Sequence, residues 1–154
     1  VDLLEVARRA RDPAGISAAR QRPAVRAKAR ARILVAEDSD VIREAIRREL
    51  TRAGFEVVAA EDGAVALERA RAELFDAVGT DVMMPKLDGY ELTRALRQDP
   101  RYENVPIVMV TSKDARIDTL RGMDAGADLY LTKPADATEL VRALDSLLAK
   151  RKNG

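Results

Sequence analysis

The chain has 154 residues, 27 of them Lys or Arg and 26 Asp or Glu, with no Cys and no His. Those two absences exclude disulfides, thiolate or imidazole metal sites, and cysteine or histidine catalysis. Any chemistry must therefore run on carboxylates, hydroxyls, Lys, Arg, backbone groups or a hard cation.

Aromatic residues make up only 3% of the chain, which predicts an aliphatic core of one domain with room for an appendage. No apolar run approaches the roughly 18 residues needed to span a membrane, and no apolar stretch near the start reads as a signal peptide. A cytoplasmic location is expected. The first residue is Val1 rather than Met, which suggests a piece of a longer polypeptide.

The net charge of +1 hides an asymmetry: residues 1–30 hold eight basic and three acidic side chains, and the remainder nineteen and twenty-three. A basic segment thus precedes a mildly acidic domain. Within residues 1–31, Leu3, Leu4, Val6 and Ala7 allow a short helix before Pro13 and Gly15 break it. From Ala14 to Ala31 the chain is mostly Ala, Arg, Pro and Gln and reads as a linker. Without interleaved aromatics to stack on bases, it is not read as a nucleic-acid arm.

Regular patterning runs over residues 32–150, with 151–154 left as a short basic tail. Ile33-Leu34-Val35-Ala36 is a short apolar run of the kind found in a buried parallel strand. It ends on Glu37-Asp38, and Ser39 can cap a helix with an apolar face of Val41, Ile42, Ala45, Ile46, Leu50 and Ala53. Gly54 ends that helix. Phe55 to Ala59 forms a second strand, and Asp62-Gly63 turns into a helix carrying Ala66, Leu67, Ala70 and Leu74.

Phe75 to Thr80 is the third strand, leading to Asp81, and the loop Val82-Met83-Met84-Pro85 closes on the turn Asp88-Gly89. Tyr90, Leu92, Ala95 and Leu96 mark a third helix, stopping near Pro100. Val105 to Val110 is a fourth strand ending on Thr111-Ser112. A rather polar fourth helix is expected from Ala115 to Asp124. Asp128 to Thr132 is a fifth strand followed by Lys133-Pro134, and Leu140, Val141, Leu144, Leu147 and Leu148 form a final amphipathic helix. Five strands alternating with five helices predict a doubly wound α/β domain with a parallel sheet.

That topology predicts which residues meet. If strands one, three, four and five are neighbours, Glu37, Asp38, Asp81, Thr111 and Lys133 converge at one edge of the sheet. Two carboxylates about 5 Å apart repel by roughly 3 kcal/mol at an effective dielectric of about 20. Oxygen-only ligands then favour a hard divalent ion, and Mg²⁺ suits a site that also holds phosphate.

These residues resemble the response-regulator receiver domains of two-component signalling. The resemblance rests on Glu37-Asp38, on Asp81 with Met84-Pro85 and Asp88-Gly89, and on Thr111-Ser112, Gly126-Ala127 and Lys133-Pro134, in that order. It implies a flavodoxin-like fold similar to that of CheY, with Asp81 as phosphoacceptor. Glu37, Asp38, Asp81 and the Met83 backbone carbonyl are the implied Mg²⁺ ligands. Thr111 is implied to hydrogen-bond the phosphoryl group and Lys133 to pair with it, across an expected cis Lys133-Pro134 bond.

Thr111 and Tyr130 are the implied switch pair, acting on the surface of the fourth helix, fifth strand and final helix where a downstream protein binds. The donor is implied to be a phosphohistidine on a kinase in another domain or chain, since this chain has no His. The run DVMMPKLDGYELTRALR with VPIVMVTSKD resembles receivers fused to chemotaxis-type (CheA-type) histidine kinases, including those of gliding motility. No output domain follows Leu148, so protein contact is the expected output, either as a transmitter or as a phosphate sink or brake on an attached kinase.

Some positions depart from the family pattern. Glu37 stands where Asp is more frequent. Gly79 interrupts the third strand, weakening it by roughly 0.5–1 kcal/mol and leaving a gap beside Asp81; nothing in the sequence assigns it a function. Met83 and Lys113 flank the implied path of the hydrolytic water without a carboxylate or amide to orient it, so slow dephosphorylation is expected. A dehalogenase-like phosphatase is disfavoured because Met83 stands where its second Asp would be. Nucleotide binding is disfavoured because no glycine-rich phosphate loop is present.

Overall fold

The computed structural model describes residues 31–111, 123–132 and 137–153, without the side chains of Thr111, Thr132, Lys152 and Asn153. The expected N-terminal helix and linker, most of the fourth helix, Lys113 and Lys133-Pro134 lie outside the described residues, as does the Thr111 side chain.

Five strands form one parallel sheet: β1 (Arg32–Ala36), β2 (Glu56–Ala60), β3 (Ala77–Asp81), β4 (Ile107–Thr111) and β5 (Leu129–Thr132), in the order β2-β1-β3-β4-β5. They alternate with α1 (Asp40–Arg52), α2 (Gly63–Ala72), α3 (Gly89–Arg97), a fourth helix α4 described at residues 123–125, and α5 (Ala137–Asn153). This is the doubly wound architecture expected. Among the described residues, no helix is long and apolar enough to cross a membrane.

The apolar runs form strands because each can be buried on both faces. One face of the sheet packs Leu34, Ala36 and Val78 with Leu92, Leu96, Phe75 and Tyr102, beneath α2 and α3. The other packs Ile33, Val35, Ala77 and Val108 with Leu50, Leu140 and Leu144, beneath α1 and α5. Alternate residues of β1 and β3 thus serve opposite cores, as the two-residue period of a strand requires.

Local signals set the helix ends. Ser39 caps α1 through Ile42 N–H, and Asp62 caps α2 through Val65 N–H. Asp88 and Glu91 form a reciprocal capping box on α3, so the expected Asp88-Gly89 turn is in fact a helix start. A 3₁₀ turn from Pro100 to Tyr102 buries the Tyr102 ring, whose hydroxyl donates to the carbonyls of Ala70 and Glu73 at 2.8 and 2.7 Å.

Several expected boundaries move. β2 starts at Glu56 rather than Phe55, β4 at Ile107 rather than Val105, and Asp81 is itself the last residue of β3. Leu74 is not on the apolar face of α2 but 57% exposed beyond it. The helix ends because Glu73 is extended, its carboxylate 2.6 Å from the Arg32 guanidinium and 2.9 Å from that of Arg69. Burial opposes the charge of Glu73, but the two arginines outweigh it and hold its carboxyl below the usual range. Val41 is 80% exposed and Ile42 39%, because the first turn of α1 overhangs the strand ends where no core lies beneath. The last helix runs on to Asn153, through most of the stretch read as a tail.

Candidate phosphoryl-acceptor site

The strand order reverses direction between β1 and β3, and in such sheets the crevice at the carboxyl ends of those strands is the ligand site. Register decides what stands there. Ala36 pairs with Thr80, so the next residues along the two strands, Glu37 and Asp81, come side by side. Asp38 follows at the rim. Ligand oxygens of Glu37, Asp38 and Asp81 all lie within 4.8 Å of one another, with Glu37 and Asp81 buried and Asp38 exposed.

Each carboxylate is held by its own local backbone. Asp81 Oδ1 accepts from the Val82 amide at 2.7 Å, which orients the side chain from the strand end. Glu37 accepts from the Ser39 amide at 3.0 Å while its own amide donates to the Ala60 carbonyl, tying it to β2. Arg43, one turn into α1, donates to the Glu37 carbonyl at 2.9 Å and pairs with Asp40. These anchors fix two buried acids in place before any ligand arrives.

The loop after β3 is clamped at both ends. Gly89 N–H donates to the Val82 carbonyl at 2.9 Å, and a Cβ at Gly89 would lie 2.2 Å from the Asp81 carbonyl oxygen. Only glycine lets α3 start this close to the acid. Between them Lys86 takes a left-handed backbone (φ 72°), with its ammonium 3.7 Å from the buried Asp62 that caps α2. Met83 is on this loop and 54% exposed.

Three oxygen donors, two of them buried, match the preference of a small hard cation, which would relieve the mutual repulsion of the acids. The donor set therefore fits a hard cation such as Mg²⁺. Thr111 is the last residue of β4, and its neighbour Val110 pairs with Asp81, so the backbone brings Thr111 to the same edge. Thr111 in turn pairs with Thr132, the residue before Lys133. Tyr130 is half-buried and packs against Val82, Tyr90, Met109, Ala125 and Ala127. The amide of Val82, the guanidinium of Arg43 and the crowding at Gly89 were not singled out from sequence. Of the three, only the Asp-Gly pair left a signal there.

A family model for the response regulator receiver domain matches residues 33–145. The chain is 42% identical over 121 residues to the response regulator MprA of Mycobacterium ulcerans, covering 79% of this chain and 51% of that protein. It thus spans about half the length of the curated relatives it matches. Among solved structures, the chemotaxis response regulator CheY4 of Vibrio cholerae superimposes with a TM-score of 0.72 at 34% identity, over 76% of this chain and 98% of that one. The receiver domain of the sensor histidine kinase PA1611 from Pseudomonas aeruginosa, solved with magnesium in its active site cleft, gives 0.71 at 33% identity, over 77% and 98%. By matched length, identity and shared fold, the chain belongs to the response regulator receiver domains.

Proposed function

We propose that Asp81 accepts a phosphoryl group from a phosphohistidine on another domain or chain, and that the modified domain signals through a changed surface. The observation that carries this reading is the meeting of Glu37, Asp38 and Asp81 within 4.8 Å at the switch point of the sheet. In the transfer, an Asp81 carboxylate oxygen attacks phosphorus in line as the bond to the donor nitrogen opens, leaving an acyl phosphate and a neutral imidazole. Such a reaction asks little of the protein beyond position and countercharge.

Glu37, Asp38, Asp81 and the Met83 carbonyl are the groups proposed to hold Mg²⁺, which supplies positive charge to the phosphoryl oxygens. Thr111 is proposed to donate a hydrogen bond to one of those oxygens and Lys133 to pair with another. The Val82 amide keeps the acceptor oriented, and Glu37 stays anchored through Ser39. Movement of Thr111 toward the phosphoryl group, coupled to the Tyr130 ring packed beside Met109, is the proposed switch. It would alter the face of α4, β5 and α5 for a protein partner, in the cytoplasm. Residues 1–31 are proposed to serve as a linker.

A second reading makes the domain a phosphate sink or brake on an attached histidine kinase, of the chemotaxis or gliding-motility type. Its support is the likeness to a receiver carried by a sensor histidine kinase. Kinase output in the parent protein separates the two, since Asp81→Asn raises output if a brake is lost and abolishes it if a transmitter is lost.

Incubation with acetyl phosphate and Mg²⁺, followed by intact mass, tests the site itself. One phosphoryl adduct is expected on the wild type and none on Asp81→Asn; an adduct that survives in the variant overturns the assignment. The phosphoryl group is expected to persist well beyond seconds, because neither Met83 nor Lys113 can orient water. A lifetime of seconds that lengthens in Met83→Ala or Lys113→Ala would contradict this.

A further inference from the structure

The strand face that carries Asp81 also borders a cavity whose rim includes Glu37 and Asp81 and whose apolar walls take no part in the proposed phosphoryl transfer. About 270 Å³ of space lies between the ends of β1, β3 and β4 on one side and α1 with the start of α5 on the other. Val35, Val110, Ala45, Ile46 and Leu140 line it together with Gly79. Residues two apart on a strand share a face, so Gly79 lies directly behind the proposed acceptor.

Glycine is not required there by the backbone or by crowding. Gly79 is not among the positive-φ glycines, and a Cβ at this position would meet only the Leu140 methyls at 3.5 and 3.6 Å, an ordinary contact. What glycine does is leave the space open. The polar groups that border it are Glu37, Thr80 and Asp81, and the Thr80 hydroxyl already donates to the Asp81 carbonyl at 2.8 Å. Away from that polar rim the walls are apolar and do not supply the two to four polar partners a water needs.

We propose that this cavity is a binding site for a small, uncharged, apolar molecule of one or two rings or comparable branched bulk. An apolar cavity of about 150 Å³ already accepts benzene, and ordinary ligand pockets begin near 300 Å³, so this volume suits a ligand between those limits. A helix of another protein, about 10 Å across, is too wide to enter. Among the described lining residues none is basic, and the carboxylates of Glu37 and Asp81 at the rim disfavour an acid such as a fatty-acid carboxylate. Exposed Val41 and Ile42 continue the apolar lining out to solvent and form the mouth.

Titration of the full chain with indole, followed by methyl-resolved NMR, tests the site. Saturable shifts centred on Val35, Val110 and Leu140, with nuclear Overhauser contacts from indole to those methyls, are expected in the wild type. Gly79→Ala should weaken the binding, and Gly79→Leu, which fills the space, should abolish it. Shifts that do not saturate, that centre on exposed groups such as Leu74, or that persist undiminished in Gly79→Leu would overturn the proposal. If Gly79→Leu fails to fold, the wild-type Overhauser contacts and the Gly79→Ala affinity decide the matter.

Discussion

The two faces of β3 are built to different standards. Toward α2 and α3, Val78 packs in a cluster with Leu92, Leu96, Tyr102 and Ile107, all 1% exposed or less. Toward α1 and α5, the same strand buries Ala77 in the second core, but at Gly79 and Asp81 a cavity opens. One strand thus carries a dense structural core on one side and, on the other, a carboxylate with space behind it. Rigidity and reactivity are thus separated across the sheet by the two-residue strand period: the filled face holds β3 in place, and the open stretch at Gly79 can vary without loss of the fold.

Truncation of the dense face should be the most damaging change. Leu92→Ala is expected to destabilise the domain by about 2–5 kcal/mol, through lost burial and a cavity that cannot collapse. Urea unfolding measures it, and a loss under about 1 kcal/mol would mean the two faces do not differ as described. The open face should respond with the opposite sign. Gly79→Val adds a branched residue to a strand and fills existing space, so a gain of about 0.5–2 kcal/mol is expected in the same assay. A net loss would show that the cavity is smaller than the structure indicates.

The smallest effect concerns the ion pairs at the far end of β1. Because the folded Glu73 carboxyl is held below its ordinary value of 4.5, its contribution is fully present above about pH 4.5 and fades as pH falls through the lower folded value. For this half-exposed pair the contribution is about 1 kcal/mol at most. Unfolding of wild type and Glu73→Gln across pH 3 to 7 should therefore differ near neutrality and converge in acid. A gap that stays constant with pH would place the effect in packing instead of charge.

Much of the site was legible in the chain because strand ends are legible. Short apolar runs closing on Glu37-Asp38 and Asp81 reveal that these acids gather once the strands are taken as parallel. The helix cap at Ser39 was equally plain, since a hydroxyl just before a periodic run suits the first turn, whereas Asp62 reads only as part of a turn. The misplacements share one cause. Leu74 and Val41 have apolar side chains at helical spacing, yet neither has a core beneath it. Periodicity reports what a residue could bury and not whether a partner is there.

The fold class, the acids and the ruling out of histidine and cysteine chemistry were readable from the chain, because these depend on residue type and order along it. Three-dimensional packing was needed to see that Glu37 stands beside Asp81, since that depends on the register of β1 against β3. It alone showed that α3 begins against the Asp81 carbonyl, where any residue but Gly89 would collide. It also turned Gly79 from an unexplained weakness in a strand into one wall of a cavity, because empty space belongs to no residue and is written nowhere in a sequence.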